Sequence, residues 1–257
     1  MGSPSVRIGC DRARVVASFV AVLAASAAIT ARAGHPLLSD DTGTQGTGHV
    51  ELELGFSRAT EDNLRVFEFG PQLSVGVLET VDAIVRPVWL ENRSTGEGAP
   101  PARGIGDTAV DFKWRFFDAA PYSLGVRAGV LIPTGSEARG LSQGKAALHA
   151  ALIGQTNVGE WTLIANLGWV QDPISGERGS LPYGTASAQW QPREDLKLSA
   201  ELGTFRSPDP TRSWQTVSRF GAIVSLTKWL DVDAGYQLRL SGDAPVRVIL
   251  AGATVRW

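Results

Sequence analysis

An all-β fold, a closed antiparallel barrel of about 12 strands built to span a bacterial outer membrane, is the architecture that the sequence predicts. Three observations predict it: an export segment at the N-terminus, strict period-two alternation through the rest of the chain, and tryptophans placed at strand ends rather than strand centres.

Residues 1–33 read as a cleaved signal peptide. Arg7, Arg12 and Arg14 form a basic start, and Val15 to Ile29 is an unbroken run of apolar and small residues. Ala31-Arg32-Ala33 then offers small residues where a signal peptidase needs them. Fifteen or so residues fall short of the roughly 20 that cross a bilayer as a helix, which argues against a membrane anchor. The single cysteine, Cys10, lies in this segment, so the mature part has no disulfide or thiolate chemistry. Removing the segment takes away four Arg and one Asp, and the formal charge falls from −2 by three.

No later stretch is apolar for long enough to be a membrane helix. Alternation repeats instead. Val50, Leu52, Leu54 and Phe56 alternate with Glu51, Glu53 and Gly55, and Leu124 to Ile132 alternates about Gly125, Arg127 and Gly129. Leu230, Val232, Ala234, Tyr236, Leu238 and Leu240 alternate with Asp231, Asp233, Gly235, Gln237 and Arg239. A period of two means one apolar and one polar face. The same reading places strands near 48–58, 64–77, 81–92, 106–117, 122–133, 145–156, 161–171, 182–191, 196–206, 213–226, 229–240 and 245–257. Short turns such as Glu79-Thr80 and Val158–Glu160 alternate with longer loops at 93–105, 134–144 and 172–181. That alternation is the outer-membrane arrangement, with both chain ends on the periplasmic side.

Two features separate this reading from a soluble sandwich. In every strand one face is free of charge at mid-strand, where Arg or Lys facing lipid costs roughly 2–4 kcal/mol. The eight tryptophans fall into two interface belts. Trp114, Trp161, Trp190, Trp229 and Trp257 lie near the short turns, and Trp89, Trp169 and Trp214 near the long loops. The last strand alternates Ile249, Ala251, Ala253 and Val255 and ends on Trp257. It is similar to the C-terminal signal read by barrel-insertion machinery, so that machinery and outer-membrane lipid are the expected partners.

Several stretches together resemble the transporter family named for the meta-pathway of phenol degradation (MetA-type). They are PLLSDDTGTQG at Pro36–Gly46, GIGDTAVDFKWRFF at Gly104–Phe117, LIPTG at Leu131–Gly135, GLSQGK at Gly140–Lys145 and SPDP at Ser207–Pro210. The likeness spans the whole mature chain, and its weight lies in the order and spacing of short motifs. It implies an outer-membrane barrel that moves small molecules, aromatic ones among them.

With the apolar face toward lipid, seven acids and eight bases point inward, among them Glu51, Glu53, Glu68, Glu201, Lys197 and Arg256. The expected substrate pathway is drawn from Arg86, Asp111, Lys113, Arg115, Arg127, Arg219, Asp231, Asp233 and Arg239. The competing expectation is that these charges pair across the lumen and close it, since unpaired charges are costly to bury. Gly76, Gly125, Gly129, Gly168, Gly203, Gly221 and Gly235 fall largely on the inward face, as kinks that help the sheet coil or as a groove in the wall. Residues 34–47, with Asp40 and Asp41, precede the barrel of residues 48–257 and form either a polar tail or a plug folded into the lumen.

Nothing in the mature chain calls for catalysis, a metal or a cofactor. Its histidines are His35, His49 and His149, and His149 with Ser142 is the one nucleophile–base pairing that can be constructed, with no group in sight to orient the imidazole. No His, Cys or acid cluster has ligand spacing, and the net negative charge gives no footprint for nucleic acid. Two functions follow: a narrow channel for small, aromatic or hydrophobic molecules, or a structural or surface-binding barrel whose lumen is filled by salt bridges.

Overall fold

The computed structural model of the protein describes residues 35–61, 64–94, 101–171, 179–207, 214–241 and 247–257. The expected signal segment 1–33 lies outside these residues, as do 95–100 and 172–178 of two long loops and the Pro208–Pro210 part of SPDP.

Alternating sequence becomes antiparallel sheet throughout. The first strands are β1 (Val50–Glu61), β2 (Leu64–Leu78), β3 (Val81–Arg86), β4 (Trp89–Ser94), β5 (Ala102–Ile105) and β6 (Thr108–Ala119). Then come β7 (Tyr122–Ile132), β8 (Ala147–Val158), β9 (Trp161–Gln171) and β10 (Ser180–Arg193). The last are β11 (Leu196–Arg206), β12 (Trp214–Ser225), β13 (Leu230–Ser241) and β14 (Arg247–Arg256). Each strand from β6 onward pairs with the next, and β1 pairs with both β2 and β14. The sheet therefore closes on itself through β1, β2 and β14, as a bilayer demands of a strand-built protein, and among the described residues only the short β5 has a single strand partner, β4.

Twelve staves make this wall, because two of them are interrupted. β3 and β4 both lie along β2, while β3 pairs with β6 and β4 with β5. The first break falls at Pro87, which has no N–H for the ladder, and the second at Gly106-Asp107. The breaks face each other, since the Gly106 N–H donates to the Val88 carbonyl at 2.8 Å. The 134–144 loop packs over them, through a single turn of 3₁₀ helix at Glu137–Arg139. Asp107 accepts from the backbone N–H groups of Gly135 (3.4 Å) and Gln143 (3.2 Å), and the Thr134 hydroxyl donates to the Gly106 carbonyl at 2.7 Å. Leu141 completes the join against Val88 and Leu90. A side chain at Gly135 would strike the Leu141 carbonyl at 2.5 Å, so glycine is required there. Three motifs separate in sequence, GIGDT, LIPTG and GLSQGK, are thus one structural unit. The expected strand 106–117 is longer than its alternation suggested, because β5 continues it beyond the break.

Polarity is inverted relative to a soluble domain. Phe112 (61% exposed) and Leu167 (69%) face outward, whereas Asp111 (1%) and Arg127 (2%) are buried inside. All eight tryptophans are exposed on the outer face. Trp161 and Trp190 sit opposite each other beside the short turn at 159–160 and stack at 6.0 Å. Trp114 lies across from Val81 at the foot of β3, Trp229 just precedes β13, and Trp214 opens β12 from the long-loop side. Inside, apolar residues collect in the half nearer the long loops. Ala109, Leu131, Ala147, Ala151, Val170 and Tyr183 form one cluster with Phe205, and Ala59, Val66, Val248 and Leu250 form another.

Candidate functional site: the barrel lumen

The polar half of the lumen is occupied by the chain's own residues 35–47. They make one lap of the inner wall, meeting the staves in descending order. The His35 ring pairs with Asp233 on β13, and its backbone N–H donates to Glu53 on β1 at 3.1 Å. The Pro36 carbonyl accepts from Arg219 on β12 at 3.0 Å. Glu201 on β11 accepts from the N–H groups of Leu38 and Ser39, both at 2.6 Å, and from the Ser39 hydroxyl, which also reaches Thr185 on β10. Asn166 on β9 clamps the Asp40 backbone from both sides, accepting from its N–H (2.6 Å) and donating to its carbonyl (2.9 Å). Thr42 meets Ser123 on β7 and Gln155 on β8. Gln45 donates to Asp82 on β3 and Glu51 on β1. Pro36 through Asp40 and Thr42 are buried, so the lumen at their level is filled.

Glycine makes the room. Gly55 on β1 lies opposite Gly252 on β14, and Gly221 on β12 opposite Gly235 on β13. A Cβ at Gly252 would stand 2.6 Å from the His35 ring, and one at Gly221 2.5 Å from Pro36. Gly203 on β11 receives Leu38, and Gly76 on β2 lies directly against the Gly46 backbone. Of the inward glycines, those at 76, 203, 221 and 235 therefore do form a groove, and the N-terminal segment fills it. Gly129 and Gly168 serve side chains of the wall instead: Asp111 reaches across the first and the Tyr183 ring covers the second.

The central charges form one connected network. Asp111 on β6 crosses over Gly129 on β7 to accept from His149 Nε2 on β8. Its other oxygen accepts from Arg127 Nε (2.9 Å) and Nη2 (2.7 Å). Arg127 Nη1 then donates to Asp40 at 2.8 Å, and Nη2 to Gln72 at 3.0 Å. Gln72 passes the chain to Glu53 at 2.7 Å. Lys113, directly across the ladder from Arg127, donates to Asp40 at 3.2 Å and to Asp41 at 3.4 Å. Two cations side by side in a buried wall are tolerable only with such carboxylates against them.

Of the sequence-selected residues, the fold gathers Asp111, Lys113 and Arg127 into this network and sets Asp233 and Arg219 against residues 35–36. Arg86 stands apart over Gly70, paired with Glu68 at 2.6 Å. Asp231 joins Glu51 in holding Arg256. Arg115 pairs with Asp118 at 3.5 Å near the 120–121 turn, away from Arg127. Arg239 lies on β13 opposite Val217, in the long-loop half. His149 does have an orienting group, contrary to the expectation from sequence, but it is Asp111 deep in the lumen. Ser142 accepts from the Gly144 N–H at 2.9 Å. Asp40, Asn166 and Gln72 were not among the expected pathway residues, and the PLLSDD motif was the available signal for the first. Among the described residues, no group of His, Cys, Asp and Glu is arranged to hold a metal ion.

The family model described as "Putative MetA-pathway of phenol degradation" matches residues 33–257. The chain belongs to this family. A sequence comparison with curated proteins finds no match. Among solved structures, an outer membrane channel from Pseudomonas putida F1 is similar at a TM-score of 0.70 and 14% identity, over 84% of this chain and 98% of that one. The KdgM porin is similar at 0.55 and 8% identity, over 79% and 98%. The translocator domain of the autotransporter NalP from Neisseria meningitidis follows at 0.53 and 16%, over 95% and 98%. At these identities the likeness is one of fold. This member of the phenol-degradation family is an outer-membrane β-barrel.

Proposed function

We propose that the protein is a narrow outer-membrane channel for small, aromatic or hydrophobic molecules, held shut by residues 35–47 in the state described above. The observation that carries this reading is the lap of the N-terminal segment around the inner wall. A barrel whose lumen served only as a core would be filled by wall side chains, whereas this one seats residues 35–47 of its own chain in a glycine-lined groove. The apolar collar around Tyr183 and Phe205 gives a passing molecule an apolar surface on the long-loop side. Family membership and the Pseudomonas putida channel of similar fold support the reading. The rival reading is a sealed structural barrel, favoured by the pairing of Arg86, Arg127 and Arg256 with lumen acids.

Single-channel recording in planar bilayers separates the two. The mature protein is expected to give small or rare conductance steps, and a variant lacking residues 35–47 to give frequent, larger ones. A correctly folded deletion variant that stays silent overturns the channel reading in favour of the sealed barrel.

A further inference from the structure

Three features of the lumen converge on the chemistry of the molecule it takes. The first is a belt of directly opposed residues running across six adjacent staves. Lys113 lies opposite Arg127, Arg127 opposite Ala151, Ala151 opposite Gly168, Gly168 opposite Tyr183, and Tyr183 opposite Phe205. Two cations stand at one end of this belt and two stacked aromatic rings, 6.0 Å apart, at the other. Between them Ala151 is small, and Gly168 lets the Tyr183 ring lie down over the wall.

The second feature is what lies on the belt. Leu38 rests on Gly203 beside the Phe205 ring, and two residues later the Asp40 carboxylate is held by Arg127 at 2.8 Å and Lys113 at 3.2 Å. The stretch from Leu38 to Asp40 thus presents an apolar group and a carboxylate about two residues apart, roughly 7 Å in extended chain. That matches the span of an aryl or short alkyl carboxylic acid.

The third is the charge left behind when the segment leaves. Asp40 and Asp41 are the carboxylates in ion-pair range of Lys113 among the described residues, and Asp40 is one of the two that hold Arg127. Withdrawing them strips a buried ammonium of both carboxylates in ion-pair range and leaves it to longer-range wall acids such as Asp82, across the ladder, which carries a cost. A neutral hydrocarbon entering the space leaves that cost in place. A carboxylate removes it.

We propose that Leu38–Asp40 is a built-in stand-in for the cargo, and that the site it fills takes a monocarboxylate with an aromatic or apolar body. The acid group displaces Asp40 from Arg127 and Lys113, and the body lies along Ala151 against the Tyr183 ring that covers Gly168. This rests on the channel reading and sharpens it to a substrate class, with the segment and the cargo competing for the same two cations. A tethered competitor acts at a high effective concentration, so the intact protein binds such acids weakly and its competitor-free form binds them well.

The test is calorimetric titration of the detergent-solubilised mature protein with sodium benzoate, and with benzyl alcohol and benzylamine as neutral and cationic counterparts. Asp40→Asn is expected to tighten benzoate binding at least tenfold and to leave the other two unchanged. Adding Lys113→Met to that variant is expected to abolish the gain. The variant lacking residues 35–47 should show the same gain, which covers the case in which Asp40→Asn does not fold. Equal benzoate affinity with and without the Asp40 carboxylate, or an equal gain for benzyl alcohol, overturns the proposal. The two readings fail separately. A deletion variant that conducts but does not prefer benzoate keeps the channel and loses this site. One that binds benzoate but is silent in bilayers does the reverse.

Discussion

Gly129→Ala puts the lumen network to its most direct test, because one methyl group is all that changes. The Cβ would fall well within 3.0 Å of both the Asp111 carboxylate and the Val110 carbonyl, and 2.8 Å from the Asp111 Cα. The carboxylate can swing away, but the backbone of β6 cannot, since it is laddered to β3 on its other side. Overpacking of this kind costs about 1–3 kcal/mol. Displacing Asp111 also strains its bonds to His149 and Arg127, and a hydrogen bond to a charged group contributes roughly 1.5–3 kcal/mol. The sum is a destabilisation of about 3–6 kcal/mol. Urea unfolding of the barrel in phospholipid vesicles, followed by tryptophan fluorescence, reads it as a lowered midpoint. Gly154→Ala is the control: it lies outward on β8, where a Cβ would meet only Leu124 at 3.7 Å and the Ala165 carbonyl at 3.9 Å, and it should stay within about 0.5 kcal/mol of wild type. A Gly129→Ala midpoint indistinguishable from that control would falsify the claim that this glycine exists to let Asp111 cross β7.

Two further predictions use other parts of the wall. Leu167→Arg, on the lipid face at mid-strand, should lower stability in vesicles by roughly 2–4 kcal/mol, and Val158→Arg beside a short turn by about 0–1 kcal/mol; equal costs would contradict the assignment of the outer face. Asn166→Leu removes both bonds that clamp the Asp40 backbone and leaves buried groups unpaired, at about 1–3 kcal/mol each. It should raise the frequency of conductance steps without changing the circular dichroism of the barrel, and an unchanged frequency would mean that the clamp does not hold the segment.

Much of the wall was legible because alternation reports directly which way a side chain faces. Residues such as Arg127 and Leu167 declare their sides through their neighbours, and a lipid-facing surface admits no error in that pattern. Interruptions were harder to see. Alternation continues through Ala83, Val85, Trp89 and Glu91 with little sign that Pro87 splits the stave, and β5 is too short to show a period. The lumen was legible only as a list. Which charges meet depends on ladder register and on reach across glycine: Asp111 finds His149 two strands away, and Arg127 finds Asp40 across 87 positions of sequence. Residues 35–47 have no periodicity of their own, because their backbone groups are satisfied by Glu201, Asn166 and Asp82 rather than by a ladder. Composition alone therefore cannot distinguish such a segment from a free tail.

The seat for His35 and Pro36 is assembled from opposite ends of the chain: Gly55 and Glu53 come from the first strand, Gly221 and Arg219 from β12, and Gly235, Asp233 and Gly252 from the last two. Before β14 docks on β1 only part of it exists, because the halves are separated by the open seam of the sheet. His35 and Pro36 are consequently among the last residues to find their place. Their arrival depends on the seam having closed in the right register, since a shift of one residue would turn Gly252 outward and a neighbouring side chain into the groove. The segment that lies along the inner wall can complete its seating only in a barrel that has been correctly made.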